Sequence, residues 1–119
     1  MQYLLLIYDA EQTLAKMPPA DMQKLHDDYM RFTQEIVQSG HHRGGNALQP
    51  VSTATTIRTR NGKTATTDGP FAETREQLGG YYLIEAPNLD EALKIGARIP
   101  SARTGSIEVR PIRVFDPPK

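Results

Sequence analysis

The chain begins with an uninterrupted apolar run rather than an alternating one. Residues 3 to 8, YLLLIY, are β-prone and are followed by Asp9. A run without polar interruptions is typical of a strand covered on both faces, which places it centrally in a sheet. We therefore predict a central strand over residues 3 to 8. Residues 9 to 20 are a predicted connection, in which Pro18-Pro19 block a helix.

A helical repeat follows this connection. Apolar side chains recur every three or four positions, with charged and amide side chains between them, which predicts an amphipathic helix. Asp21 is placed to cap or charge its start, and Gly40 suits the left-handed position beyond its end. We place the helix at about residues 20 to 39. Its apolar stripe comprises Met22, Leu25, Tyr29, Phe32 and Ile36.

The middle of the chain is rich in threonine and in turn residues. Residues 44 to 50 contain Gly-Gly-Asn and a proline, which predict a loop. Two threonine-rich segments joined by Asn-Gly then predict a β-hairpin. Counting outward from a two-residue turn pairs Thr55 with Asp68 and places Asp68 beside a row of hydroxyls. The predicted hairpin strands are residues 51 to 60 and 63 to 68.

The second half repeats the strand and helix order of the first. A capping-box spacing at Thr74 predicts one short helical turn, after which residues 81 to 86 form a strand. A second capping box predicts a helix over residues 88 to 99. The last predicted strand, residues 107 to 115, changes its apolar face at Pro111, which indicates a bulge or a crossover. Beyond it we expect a loose tail at residues 116 to 119.

This order of elements predicts a single α+β domain over residues 1 to 119, with the split βαβ arrangement of a ferredoxin-like fold and an inserted β-hairpin. Both helices then cover one face of the sheet. The other face needs cover, so we expect a homodimer.

Composition and charge narrow the function. The chain has no cysteine, which excludes a disulfide framework, a thiolate metal site and a thiol nucleophile. Its 14 basic and 14 acidic residues cancel, so no net field attracts nucleic acid or an anionic membrane. The first apolar run is too short for a signal peptide or a membrane span. We expect a cytoplasmic protein whose partners are small molecules or other proteins.

A longer motif adds a family resemblance. The run TDGPFAETREQLGGYY at residues 67 to 82, with DEAL at 90 to 93 and EVRP at 108 to 111, resembles the signature of the DGPF group within the YCII-related family. The resemblance implies a dimeric α+β barrel and a regulatory link to extracytoplasmic-function sigma factors. Some YCII-related proteins carry a suggested catalytic histidine and aspartate. Aligning on the Gly40 turn places Tyr29 and Gln38 there, so this pair is missing here.

Asp68 and His26 are the candidate catalytic residues. A carboxylate held at a strand end by a Gly-Pro bend can act as a general base or bind a polar group. The same Asp-Gly-Pro order also satisfies backbone N–H groups of its own turn, and both readings stay open. His26 borders the helical stripe, either as a proton carrier in a pocket or as a boundary residue.

The remaining candidates are ligand-binding residues. They are Tyr8, His42, Tyr81 and Arg103, of which His42 can line a pocket mouth and Arg103 can hold an anionic group. Core packing is the default role of the tyrosines, and an arginine at such a position is usually solvated or paired with a neighbour. His41 and His42 are neighbours that point to opposite faces of an extended chain, so we predict no metal site and no cofactor. Three functions stay open. The first is an enzyme or binder of a small polar organic molecule, with a pocket between the sheet and the first helix near Asp68, His26 and a tyrosine. The second is a non-catalytic adaptor that uses the hairpin edge, and the third is a house-keeping dimer with no ligand.

Overall fold

In the computed structural model, which describes residues 1 to 116, β1 (Gln2–Asp9) lies in the middle of a four-stranded antiparallel sheet. It pairs with β5 (Gln77–Glu85) on one side and with β6 (Ser106–Pro111) on the other. Its side chains alternate between buried and half-buried positions. The predicted central strand is therefore confirmed.

Three α-helices and six strands make up the described chain. The helices are α1 (Glu11–Ala15), α2 (Pro19–Gln38) and α3 (Leu89–Ala97), and the other strands are β2 (His42–Ala47), β3 (Thr55–Arg60) and β4 (Lys63–Asp68). Short 3-10 turns lie at Val51–Thr53 and Pro100–Arg103. The sheet order β2-β5-β1-β6 makes this an α+β fold consistent with the ferredoxin-like arrangement.

The hydrophobic core lies between the sheet and its helical layer. Phe32 and Ile36 from α2 are buried, and the Phe32 ring meets the edge of Tyr82 with 5.2 Å between ring centroids. Asn88 caps α3 as predicted, because its side chain accepts a hydrogen bond from the Glu91 amide at 3.0 Å. The core also includes Tyr3, Leu5, Ile7, Ile84, Ala86, Ala92, Ile95 and Ile99.

Two predictions for the first half were wrong. The connection at residues 9 to 20 contains α1, because Pro18-Pro19 prevent a continuous helix but not a short one that ends before them. The predicted loop at residues 44 to 50 begins inside β2, which pairs with β5 at the edge of the sheet. Strand pairing here overrides the preference of Gly-Gly-Asn for a turn.

Two predictions for the second half were also wrong. No helical turn forms at Thr74; the chain bends there and enters β5 at Gln77, four residues before the predicted strand start. β6 ends at Pro111 without a register shift, so the change of apolar face marks the end of the strand rather than a bulge. Of the predicted tail, residues 117 to 119 lie outside the described residues.

The β3–β4 hairpin has the predicted register, with Thr55 opposite Asp68. Its turn residues Asn61 and Gly62 have positive φ values of 54° and 76°, as a type I′ turn requires. The hairpin forms its own two-stranded sheet, and every residue of β4 is exposed. The radius of gyration is 16.7 Å, whereas a compact chain of this length has about 13.5 Å. The hairpin therefore projects from the domain.

Candidate functional site

A cleft separates the amino-terminal half of α2 from the sheet. The buried residues of α2, Phe32 and Ile36, both lie in its second half. In the first half Met22 is 42% exposed and Leu25 is half-buried, although both belong to the apolar stripe. The space beneath them has a volume of about 480 Å³ and opens to solvent. That size is typical of a small-molecule site.

Glycines on the sheet help to make this space. Gly45 of β2 and Gly80 of β5 line the cleft and present no side chain to it. A Cβ atom at Gly45 would lie 2.8 Å from the Tyr81 carbonyl oxygen, and one at Gly80 would lie 2.9 Å from the Asn46 carbonyl oxygen. The strands therefore approach too closely here for any larger residue. The apolar walls are formed by Ile7, Leu14, Met22, Leu25, Met30 and Ala47.

Two tyrosine hydroxyls are fixed in the cleft. The Tyr29 hydroxyl donates to Ser101 Oγ at 2.6 Å, and the Tyr82 hydroxyl shares a 2.7 Å hydrogen bond with Thr33 Oγ1. Burial raises the pKa of both phenols above their ordinary value of 10.0, although these hydrogen bonds lower the pKa in part. Both phenols are therefore protonated at neutral pH.

Asp9 is the one carboxylate residue among those that line the cleft. It ends β1 on the helix-facing side, is only 8% exposed and lines the cleft. Thr104 Oγ1 donates to its carboxylate at 3.0 and 3.3 Å. A Cβ atom at Gly105 would lie 2.7 Å from Asp9 Oδ1, so the backbone at Gly105, next to Thr104, packs directly against the carboxylate. Among residues 1 to 116, no Lys, Arg or His nitrogen lies within 4.0 Å of it.

Sequence reasoning missed Asp9 and treated it only as the end of the first strand. A signal was present, because Asp9 has the same parity as the buried residues Tyr3, Leu5 and Ile7. A carboxylate that continues a buried stripe is a polar group that needs a partner.

Three of the predicted site residues border the cleft. His26 is an exposed residue of α2, and His42 is half-buried at the start of β2 with its ring centroid 6.3 Å from that of Tyr82. Tyr81 is also a lining residue, but alternation along β5 places its side chain on the other face of the sheet, where its hydroxyl accepts a hydrogen bond from Asn46 Nδ2 at 2.9 Å. The predicted helix-side pocket thus contains His26 and a tyrosine pair.

The other predicted residues lie elsewhere. Asp68 is exposed at the end of β4 and is not among the residues that line the cleft, so the structure does not bring it together with His26. Tyr8 lies on the opposite face of the sheet, where its hydroxyl donates to Glu108 Oε1 at 3.4 Å. Arg103 lies 3.5 Å from an Asp28 carboxylate oxygen and borders a separate, smaller cleft.

The described part of the chain has neither a cluster of metal ligands nor a membrane-spanning helix. Residues 1 to 116 contain no cluster of three or more histidine, aspartate or glutamate side chains suited to hold a metal ion. No helix in the same range is long and apolar enough to span a membrane.

A comparison with models of known protein families finds a match over almost the whole chain. The model of the YCII-related domain matches residues 1–116. The chain belongs to the YCII-related family. An uncharacterised protein of Rhizobium meliloti (strain 1021) is 36% identical over 119 residues, which cover 98% of this chain and 96% of that protein. The family resemblance is therefore confirmed, while membership of the DGPF group stays a prediction. The name of this relative states no activity.

The raised pKa of Tyr29 predicts a loss of stability in alkali. Its folded-state pKa lies above the unfolded value, so its contribution is complete below about pH 10 and is lost as the pH rises through the folded pKa. Between about pH 8 and about pH 11, Tyr29→Phe should therefore lose less free energy of unfolding than the wild type. Urea denaturation at both pH values measures this. Ser101→Ala is the control, because it keeps the phenol and removes a hydrogen bond that lowers its pKa, so its loss should be at least as large as that of the wild type. If the wild type and Tyr29→Phe lost equal free energy of unfolding, the raised pKa of Tyr29 would be contradicted.

Proposed function

We propose that this YCII-related protein binds or transforms a small polar organic molecule in the cleft between α2 and the sheet. The observation that supports this most is the convergence of polar groups in an otherwise apolar cleft. Its lining includes Tyr29, Tyr82, Asp9, His26 and His42. Apolar walls with a few convergent polar groups are the usual composition of a ligand site.

These groups suit proton transfer. Histidine exchanges protons near neutral pH, and a neutral phenol donates a hydrogen bond to a carbonyl or hydroxyl oxygen. A buried carboxylate accepts protons or pairs with a cation. General acid–base chemistry on a bound molecule is therefore the reaction class that we propose. Asp68 remains a separate candidate, on the exposed hairpin rather than in this cleft.

Filling the cleft tests this function. Ala47 lines the cleft on the edge strand β2 and is exposed, so Ala47→Trp should fold and occupy the space. Ala65→Trp, on the exposed strand β4, is the matched control. In a thermal-shift screen of metabolites, we expect compounds that stabilise the wild type and Ala65→Trp but not Ala47→Trp. The proposal fails if no compound stabilises the wild type, or if Ala47→Trp responds equally.

We also propose that the protein is a homodimer formed through the face of the sheet that the helices leave open. Leu4 and Leu6 of β1 point to this face, and they lie opposite Leu83 and Tyr81 of β5. These side chains are only half-buried within one chain. A continuous apolar strip along two central strands favours packing against the same face of a second copy of the chain.

If the dimer forms through this face, a charged side chain placed there should dissociate it. Leu6→Lys places a cation in the centre of the open face and should give a folded monomer. Leu93→Lys, at an exposed leucine of α3, should leave the dimer intact. Light scattering at micromolar concentration measures both. A wild-type monomer, or a dimer that persists in Leu6→Lys, would remove the proposal.

The projecting hairpin supports a second candidate function, a non-catalytic adaptor for an extracytoplasmic-function sigma factor. Ile57 is 66% exposed, and Phe71 beyond the hairpin is 78% exposed. The outer edges of β3 and β4 have no strand partner among residues 1 to 116, so another chain can add a strand there.

A pull-down separates this candidate from the first. The wild type and Leu93→Asp should recover the sigma factor, and Ile57→Asp should lose it, because a charge replaces the apolar contact on the hairpin. Recovery of nothing but further copies of this protein would count against the adaptor.

A further inference from the structure

We propose that the ligand of the cleft is an organic cation, an amine with an apolar body, and that Asp9 is its counter-ion. This inference rests on the proposed cleft function and names the class of ligand.

The residues that line the cleft favour a cationic ligand. The Asp9 carboxylate is the one carboxylate among the residues that line the cleft, and the lining contains no lysine or arginine. A carboxylate that is only 8% exposed has lost most of its contact with water, so hydrogen-bond donors or a cation must compensate for that water. An ammonium group in the cleft supplies that compensation.

The hydrogen bonds of Asp9 leave room for such a partner. A carboxylate has about four acceptor positions, and the Thr104 hydroxyl has one proton to give. Thr104 Oγ1 approaches both carboxylate oxygens, at 3.0 and 3.3 Å, so its single proton satisfies one of these positions at a time. The hydrogen bonds within residues 1 to 116 include no second donor to Asp9. An ammonium group with its three donors fits the remaining positions.

The walls of the cleft suit the rest of the molecule. Met22, Leu25 and Met30 offer adaptable apolar surface, and the rings of Tyr29 and Tyr82 add aromatic surface that attracts cations. An anionic ligand would meet the like charge of Asp9 and would find only two imidazoles, His26 and His42, to balance its own. An amine with an apolar body therefore suits both the Asp9 carboxylate and the apolar walls of the cleft.

Asp9 also has a structural role that the test must separate. Its bond with Thr104 joins the end of β1 to the chain that enters β6. A purely structural Asp9 acts through this bond, so Thr104→Ala, which removes the bond, would change amine binding at least as much as Asp9→Asn, whose amide oxygen can still accept it. A counter-ion gives the opposite result, because only Asp9→Asn removes the carboxylate.

Calorimetry with three matched probes tests the proposal: 2-phenylethylamine, the neutral 2-phenylethanol and the anionic phenylacetate. We expect the amine to bind the wild type roughly tenfold or more tightly than the alcohol, as hydrogen bonds to charged groups allow. Asp9→Asn should abolish this preference, and Thr104→Ala should retain it. If Asp9→Asn does not fold, the comparison of probes on the wild type and Thr104→Ala still decides.

Other results would overturn the assignment in distinguishable ways. Equal binding of the amine and the alcohol, lost in Ala47→Trp, would refute the amine class and leave the cleft function standing. Tightest binding of phenylacetate would refute it in favour of recognition by the histidines. Binding of none of the three would refute it as well, whereas the cleft function fails only if the wider metabolite screen also finds no ligand.

Discussion

The anchoring of α2 through Phe32 and Ile36 is the interaction on which the rest of the site depends. Both residues are buried against the sheet, and Phe32 packs on the edge of Tyr82. The helix is held at its second half, so its first half covers the sheet without filling the space below it. Gly45 and Gly80 keep the sheet side of that space free of side chains. The cleft is thus a consequence of where α2 is anchored.

The same alternation along β1 gives the two faces of the sheet different roles. One set of side chains, Tyr3, Leu5 and Ile7, builds the core, and its next member is Asp9. A buried apolar stripe therefore leads directly to a buried aspartate that lines the cleft. The other set stays half-buried and faces away from the helices. Core, candidate site and candidate interface all follow from this one strand.

The sequence was most informative where local pattern and tertiary structure agree. The periodicity of α2, the register that Asn61-Gly62 impose on the hairpin and the cap at Asn88 all depend on neighbours along the chain. β2 was missed because its glycines resemble a loop and only pairing with β5 makes them a strand. α1 was missed because its Glu11 is held by distant groups, the Gln77 side chain and the Val51 amide.

The candidate site was only partly predictable for the same reason. His26 and His42 could be found from helix position and residue type, and both border the cleft. Asp68 was predicted as a catalytic residue from its Asp-Gly-Pro motif, yet the hairpin that carries it projects away from the domain. Asp9 could be found only by following the alternation of side chains along β1. Its hydrogen-bond partner, Thr104, is distant in sequence and is brought near by the fold. Family membership is shown by the match over residues 1–116, whereas the chemistry depends on side chains that only the fold brings together.

A crystal structure of the protein soaked with 2-phenylethylamine tests the central claim most directly. We expect the nitrogen within hydrogen-bond distance of the Asp9 carboxylate and the ring between α2 and the sheet, against Tyr29 or Tyr82. A cleft that stays empty while the amine binds elsewhere, or an amine whose nitrogen points away from Asp9, would contradict it.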